Sequence, residues 1–183
     1  MKIADGIYTM ANVLTPEECE EYIAFTEGIG YEDAPISAGG KFVMRPDIRN
    51  NGRVIVDDVA RAEALWQRVR WGIPRILRGR QALGLNERFR FYRYDPGERF
   101  ARHTDGAYRR ENGEESLLTI MVYLNGGFSG GETNFGEVGI HPEPGLGLIF
   151  DHHLLHEGAE VTSGRKYVLR SDVMYGPVGQ MRG

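Results

Sequence analysis

The sequence predicts a mainly β fold with supporting helices, an α+β chain built as a β-sandwich or jelly roll, and three observations carry that prediction. From Phe89 onward short β-prone runs recur at regular spacing, broken by Gly, Pro and Asn. Turn chemistry separates them at Asp95-Pro96-Gly97, Asn125-Gly126-Gly127 and Thr162-Ser163-Gly164. Before Phe89, two amphipathic stretches have helical spacing and look like props packed on a sheet.

The first helix is announced by Thr15-Pro16-Glu17-Glu18, with a Thr cap, Pro at the first helical position and Glu three residues after the cap. It should stop at Gly28 or Gly30. The second starts near Asp57 or Asp58, presents Val59, Ala62, Leu65, Trp66, Val69 and Ile73 on one face, and ends or kinks at Pro74. The expected strands are Phe89 to Tyr94, Phe100 to His103, Leu117 to Leu124, Glu132 to Phe135, Leu146 to Phe150, Gly158 to Val161 and Tyr167 to Tyr175.

Length and charge narrow the function. A chain of 183 residues suits one domain with a real core. No repeat or linker divides it, so residues 1–85 read as helical and strand support with a candidate substrate lid, and 86–177 as the functional core. With 22 basic and 26 acidic side chains the net charge is -4, which argues against a nucleic-acid binder. The basic cluster Arg68, Arg70, Arg75, Arg78 and Arg80 reads as a solvated helix face. A single cysteine, Cys19, excludes an internal disulfide framework, fits a reducing compartment and reads as a packing residue. Met1 to Asn12 lacks the apolar run of a signal peptide and no stretch is long enough to span a membrane, so a cytoplasmic location is the expectation.

The chemistry concentrates at His103-Thr104-Asp105. In an extended segment residues i and i+2 point the same way, so His103 and Asp105 reach one metal while Thr104 points away. His156 is the best candidate for a third ligand, ahead of its neighbours His152 and His153. Two histidines and a carboxylate that leave positions open suit non-haem Fe(II) better than zinc.

The surrounding residues resemble a known family. Tyr94-x-x-Gly97-x-x-Phe100-x-x-His103-x-Asp105, the strand Leu118 to Asn125, Gly130-Gly131-Glu132-Thr133-x-Phe135, Pro144-x-x-Gly147-Leu148-Ile149-Phe150 and the segment from His156 to Lys166 occur in order. Together they look like the Fe(II)- and 2-oxoglutarate-dependent dioxygenases, in particular the prolyl 4-hydroxylase-like group, over about half of the chain. The resemblance implies a double-stranded β-helix (a jelly roll of two facing four-stranded sheets) buttressed by N-terminal helices. It implies Fe(II) on His103, Asp105 and His156, with 2-oxoglutarate as co-substrate, O2 as oxidant and ascorbate as a reductant. The implied reaction decarboxylates 2-oxoglutarate to succinate and CO2 and hydroxylates a C–H bond, that of a peptidyl proline being one option and a metabolite another. Halogenation is disfavoured because Asp105 occupies the position a halide would need.

Other site residues follow. Lys166 stands ten positions after His156, where the family places the lysine that anchors the co-substrate's C5 carboxylate. Arg170 is its rival, on the same strand face and able to bind a carboxylate bidentately. Tyr94 resembles the tyrosine that shares this carboxylate, and Thr119 is expected to line the co-substrate pocket. Arg165 should point to solvent. Arg49, Asn50 and Arg53, in the polar stretch between the helices and the jelly roll, are candidates for substrate recognition. The charged segment Ala107 to Ser116 is a second candidate lid. The competing functions are a non-redox metal-dependent cupin-type enzyme and a catalytically retired binding or sensor module.

Overall fold

The computed structural model describes residues 1–38 and 41–179. The chain opens with β1 (Lys2–Ala4), β2 (Ile7–Met10), α1 (Pro16–Ile29), β3 (Glu32–Asp33), β4 (Ile36–Ala38), β5 (Lys41–Val43) and β6 (Gly52–Asp57). After α2 (Val59–Val69) and a 3-10 turn come β7 (Ile76–Leu77), β8 (Arg80–Leu85), β9 (Arg88–Tyr94), β10 (Phe100–His103) and β11 (Glu115–Tyr123). The rest is β12 (Ser129–Gly130), β13 (Thr133–Phe135), β14 (Val138–Ile140), β15 (Gly147–Asp151), β16 (His156–Gly158), β17 (Val161–Ser163) and β18 (Lys166–Pro177).

Helix α1 begins where the sequence places it. The Thr15 hydroxyl accepts from the Glu18 amide, and the Glu18 carboxylate accepts from the Thr15 amide at 2.8 Å, which closes a capping box. Gly30, at φ +95°, ends the helix. In α2, capped by Asp58, the residues Ala62, Leu65 and Val69 are buried as expected, whereas Val59, the first helical residue, is 73% exposed. The basic cluster is not a helix face. Only Arg68 lies on α2, while Arg78 sits in the turn between β7 and β8 and ion-pairs with Asp151.

The strands form two principal sheets. The larger runs β1-β2-β15-β11-β18-β9-β6-β3, with β8 attached to β18 and β7 to β8, ten strands in all; the smaller runs β10-β16-β13-β14. The expectation of two four-stranded sheets therefore holds for the smaller one, while segments before Phe89 extend the larger on both sides. The expected strand Gly158 to Val161 is in fact two, β16 in the smaller sheet and β17 paired with β12. At the break Ala159 donates to the Glu132 carbonyl and Val161 to that of Glu98, so the chain turns out of one sheet into another.

Strand alternation divides the core in two. Leu118, Ile120 and Val122 of β11 and Leu169 of β18 pack toward Leu65, Val69 and the helices. The opposite face carries Tyr123, Tyr94, Tyr92, Val168 and Phe150, which meet Ile140 of the smaller sheet. Residues of that second face with polar ends, Thr119, Lys166 and Arg170, surround the space between the sheets. Cys19 is buried in the first cluster, as a packing residue should be. Among the described residues no helix is long and apolar enough to cross a membrane.

Candidate metal and co-substrate site

His103 and His156 face each other across adjacent strands, as register partners of β10 and β16. Asp105 follows β10 by two residues, and its amide donates to the His152 carbonyl at 3.0 Å, which fixes the carboxylate's direction. One ligand atom from each of His103, Asp105 and His156 lies within 4.8 Å of the others. His103 Nε2 is 3.7 Å from Asp105 Oδ1, and His156 Nε2 is 3.9 Å from Asp105 Oδ2.

Hydrogen bonds set which ring nitrogens are free. His103 Nδ1 is 2.8 Å from the Ala101 carbonyl, and His156 Nδ1 is 2.9 Å from that of Leu154. A carbonyl oxygen only accepts, so each Nδ1 carries the hydrogen and each Nε2 lone pair is left toward Asp105. Burial, then the neighbouring His156, pushes the His103 imidazolium down to about 4, and burial lowers His156 as well. Both rings are thus neutral near pH 7, the form that binds a metal. For Asp105, burial alone would raise the carboxyl, but the Arg170 guanidinium, His156 and the Thr119 hydroxyl outweigh it and hold the group below the usual carboxylate range. Two neutral imidazoles and one ionised carboxylate converging in this way fit a divalent cation.

Thr119 does not line the cavity. Its hydroxyl donates to Asp105 Oδ2 at 2.5 Å and lies 3.0 Å from His152 Nδ1, while His152 Nε2 is 2.8 Å from the Ser116 hydroxyl. Thr119 shares its strand face with Met121, but its hydroxyl is engaged by Asp105 and His152. His152, which the sequence leaves as a spare histidine, is 2% exposed and belongs to this buried chain behind the triad.

The cavity beside the triad is bounded by Tyr92, Tyr94, Phe100, Met121, Lys166 and Arg170 together with the three ligand residues. Lys166, paired in register with Tyr94, is fully buried. Its Nζ donates to the Gly131 carbonyl at 2.6 Å and lies 5.0 Å from the centre of the Tyr94 ring. No carboxylate comes within ion-pair distance of it among the described residues, and burial pushes its ammonium down to about 7. Gly131, at φ +73°, permits this fit, since a Cβ there would sit 3.1 Å from the lysine Cδ. The Tyr94 hydroxyl is pushed up to about 12 by burial, so it stays a donor.

Arg170 lies nearer the triad. One of its terminal nitrogens is 3.1 Å from Asp105 Oδ1 and 3.2 Å from Asp172 Oδ1, and Asp172 is in turn 3.1 Å from Arg90. Arg165 points away from the cavity and ion-pairs with Asp95 at 2.5 Å, as the alternation requires.

The three substrate candidates separate. Arg49 is 5% exposed, its guanidinium 4.4 Å from the Tyr92 ring centre and 4.3 Å from that of Phe100, with Nε donating to Asn51. Phe100 stacks on His103 at 3.5 Å, so Arg49 and His103 must occupy opposite faces of one ring. Asn50 ties a loop, accepting from the Arg99 amide and donating to the Gly97 carbonyl. Arg53 lies on β6, opposite Tyr92. Neither Asn50 nor Arg53 lines the cavity. The segment Ala107 to Ser116 is pinned by Arg110 to Glu87 and Glu114, and none of it borders the cavity. Tyr92 and Met121 also border the cavity, turned toward it by their alternation with Phe91 and Ile120.

Residues 89–171 match the model of the 2OG-Fe(II) oxygenase superfamily. A putative prolyl 4-hydroxylase of Acanthamoeba polyphaga mimivirus is 23% identical over 184 residues, covering 88% of this chain and 71% of that protein. Among solved structures, a viral collagen prolyl hydroxylase from Paramecium Bursaria Chlorella virus-1, in its 2OG complex, superposes with a TM-score of 0.64 at 20% identity, over 94% of this chain and 99% of that one. A Pseudomonas putida prolyl-4-hydroxylase gives 0.65 at 17% identity, over 97% and 94% of the two chains. A Trichoplax adhaerens prolyl hydroxylase, solved with a hypoxia inducible factor peptide fragment, gives 0.71 at 17% identity, over 93% and 84%.

Proposed function

We propose that this chain is a 2OG-Fe(II) oxygenase, a hydroxylase acting on a C–H bond of a peptidyl proline; residues 89–171 match the model of that superfamily. The observation that carries the enzyme reading is the His103–Asp105–His156 cluster with both Nε2 atoms directed inward, beside a buried lysine with no carboxylate within ion-pair distance among the described residues. The proline part rests on the prolyl hydroxylase relatives, which agree with this chain at low identity.

In this proposal His103 Nε2, His156 Nε2 and one Asp105 oxygen hold Fe(II). Lys166 and the Tyr94 hydroxyl receive the C5 carboxylate of 2-oxoglutarate. Bound together, iron and co-substrate supply oxidative decarboxylation to succinate and CO2, with one oxygen atom of O2 delivered to the substrate. Ascorbate would serve as the reductant that keeps the iron ferrous.

The remaining roles belong to the chain. Thr119 and the His152 carbonyl aim Asp105. The Ala101 and Leu154 carbonyls hold the two imidazoles in the metal-binding tautomer. Phe100, packed between His103 and Arg49, keeps one ring in place and water off it. Lys166 gains from an incoming carboxylate because an unpaired buried ammonium is costly. Arg49 stiffens the wall through Tyr92 and Phe100, so its part in substrate recognition is to shape the wall, with Asn50 and Arg53 acting from the rim.

The test is incubation with Fe(II), 2-oxoglutarate, ascorbate and a proline-rich peptide under air. Succinate formation matched by one added oxygen atom on proline supports the proposal. Succinate formation without peptide oxidation confines the reading to an oxygenase of another substrate. No succinate at all overturns it.

A further inference from the structure

We infer that the His152 imidazole is a positioning residue for Asp105, acting through the Thr119 hydroxyl. The inference rests on the preceding reading that a divalent metal binds at His103, Asp105 and His156. It gives a role to a buried histidine that supplies no ligand atom to that cluster.

A chain of hydrogen bonds runs behind the cluster. The Tyr108 amide donates to Ser116 Oγ at 2.9 Å, and Ser116 Oγ lies 2.8 Å from His152 Nε2. On the other side of the ring, His152 Nδ1 lies 3.0 Å from Thr119 Oγ1, which donates to Asp105 Oδ2. Ser116, Thr119 and His152 are all buried.

A distortion of β11 makes this chain geometrically feasible. Ser116 and Thr119 are three positions apart, which in a regular strand would put them on opposite faces. The pairing of β11 with β18 shifts register between Ser116 and Leu118, so one extra residue is accommodated there and both hydroxyls reach the same ring. The residue at the shift, Leu117, accepts the His152 amide at 3.2 Å, and the His152 carbonyl accepts the Asp105 amide at 3.0 Å. The bulge thus anchors the backbone of His152 while its two flanking hydroxyls hold the side chain.

The direction of each bond follows from the acceptor at the end. An ionised carboxylate only accepts, so Thr119 commits its hydrogen to Asp105. Its oxygen then accepts from the ring, which places a hydrogen on His152 Nδ1. In the neutral ring Nε2 is left to accept, and Ser116, whose oxygen already takes the Tyr108 amide, has its own hydrogen to give. Donation by the ring fixes the Thr119 hydroxyl toward Oδ2 and strengthens it as a donor. The other carboxylate oxygen, Oδ1, has Arg170 at 3.1 Å. Both oxygens are therefore oriented before a metal arrives.

The alternative is that His152 only fills the space beside the bulge. A space-filling role and the Thr119 hydrogen bond would then affect the metal independently, and their effects would add. The two readings separate by Mn(II) titration of the full-length protein, with free Mn(II) read by electron paramagnetic resonance and folding by far-ultraviolet circular dichroism. His152→Asn keeps an amide N–H near the position of Nδ1, whereas His152→Gln carries its amide to the position of Nε2. His152→Leu keeps bulk and removes both.

The expected result is that His152→Leu and His152→Gln weaken Mn(II) about tenfold or more, the usual cost of losing a group that orients a ligand, and that His152→Asn recovers most of the loss. Combining His152→Leu with Thr119→Val should weaken Mn(II) no further than the more damaging single substitution, because the chain is already cut. Unchanged Mn(II) affinity in folded His152→Leu, additive losses in the double variant, or equal losses in His152→Asn and His152→Gln would each overturn the inference. If His152→Leu does not fold, the comparison of His152→Asn with His152→Gln decides. Failure of the unmodified protein to bind Mn(II) at all would instead overturn the proposed function.

Discussion

The two ends of the cavity are built on opposite principles. At the triad, the polar atoms that would not face a metal are already satisfied. The Nδ1 atoms of His103 and His156 hold backbone carbonyls, and Asp105 takes hydrogen bonds from Thr119 and its ion pair from Arg170. At the other end Lys166 is fully buried, with one hydrogen bond to the Gly131 carbonyl, the Tyr94 and Tyr123 rings beside it and, among the described residues, no carboxylate within ion-pair distance. The first end is preorganised for a cation. The second holds a charge whose stabilisation is deferred until an anion arrives. The difference teaches that a site for two ligands need not be equally stable at both ends when empty.

The largest expected effect breaks the second end. Lys166→Met should weaken 2-oxoglutarate by about a hundredfold or more, as loss of one partner of a buried ion pair implies. The same variant should melt at a higher temperature without ligand, since it removes an uncompensated buried ammonium. Thermal unfolding beside calorimetric titration checks both, and a lower melting temperature would contradict the deferred-stabilisation view.

At the first end, Thr119→Val should weaken metal binding about ten- to hundredfold, the usual cost of losing a group that orients a ligand. Metal titration reads it, and the far-ultraviolet circular dichroism should not change.

The two ends should also differ in pH response. The Lys166 ammonium, lowered to about 7 by burial, must be protonated to hold a carboxylate. Below pH 7 it already is, so 2-oxoglutarate affinity should be flat there. Above pH 7 binding requires proton uptake, and affinity should fall by up to about tenfold per pH unit until the pKa of the bound state is reached. Lys166→Arg should flatten the profile, because arginine stays charged.

The smallest effect lies outside both ends. Arg165→Ala removes an exposed pair with Asp95 and should change stability by less than about 1 kcal/mol and leave co-substrate affinity unaltered. Equilibrium denaturation is sufficient to check it.

Much of this site can be read along the chain because its logic is local. His103 and Asp105 share a face by strand alternation, Arg165 is turned outward by the same rule, and the Thr15 capping box fixes where α1 starts. Contacts that depend on sheet register are not legible. Thr119 is held against Asp105, and Arg170 against the same carboxylate, by how β11, β18 and the segment after β10 line up, and nothing near either residue announces it. The strands of the first half escape for a different reason. β1, β3 and β7 have two or three residues each, too short for a period to emerge, and they are strands because the larger sheet offers them an edge. Arg49 was picked out as a polar loop residue. Its burial between Tyr92 and Phe100 follows from the pairing of the Arg49 segment with β10, which no local pattern reveals.

The most direct test of the account is anaerobic visible absorption of the metal-free protein on adding Fe(II) and then 2-oxoglutarate, with His103→Ala as control. A charge-transfer band that requires both additions and is absent in His103→Ala is the predicted result. Confirmed Fe(II) binding with no band on adding 2-oxoglutarate would contradict it, and would point to a metal enzyme that does not use this co-substrate.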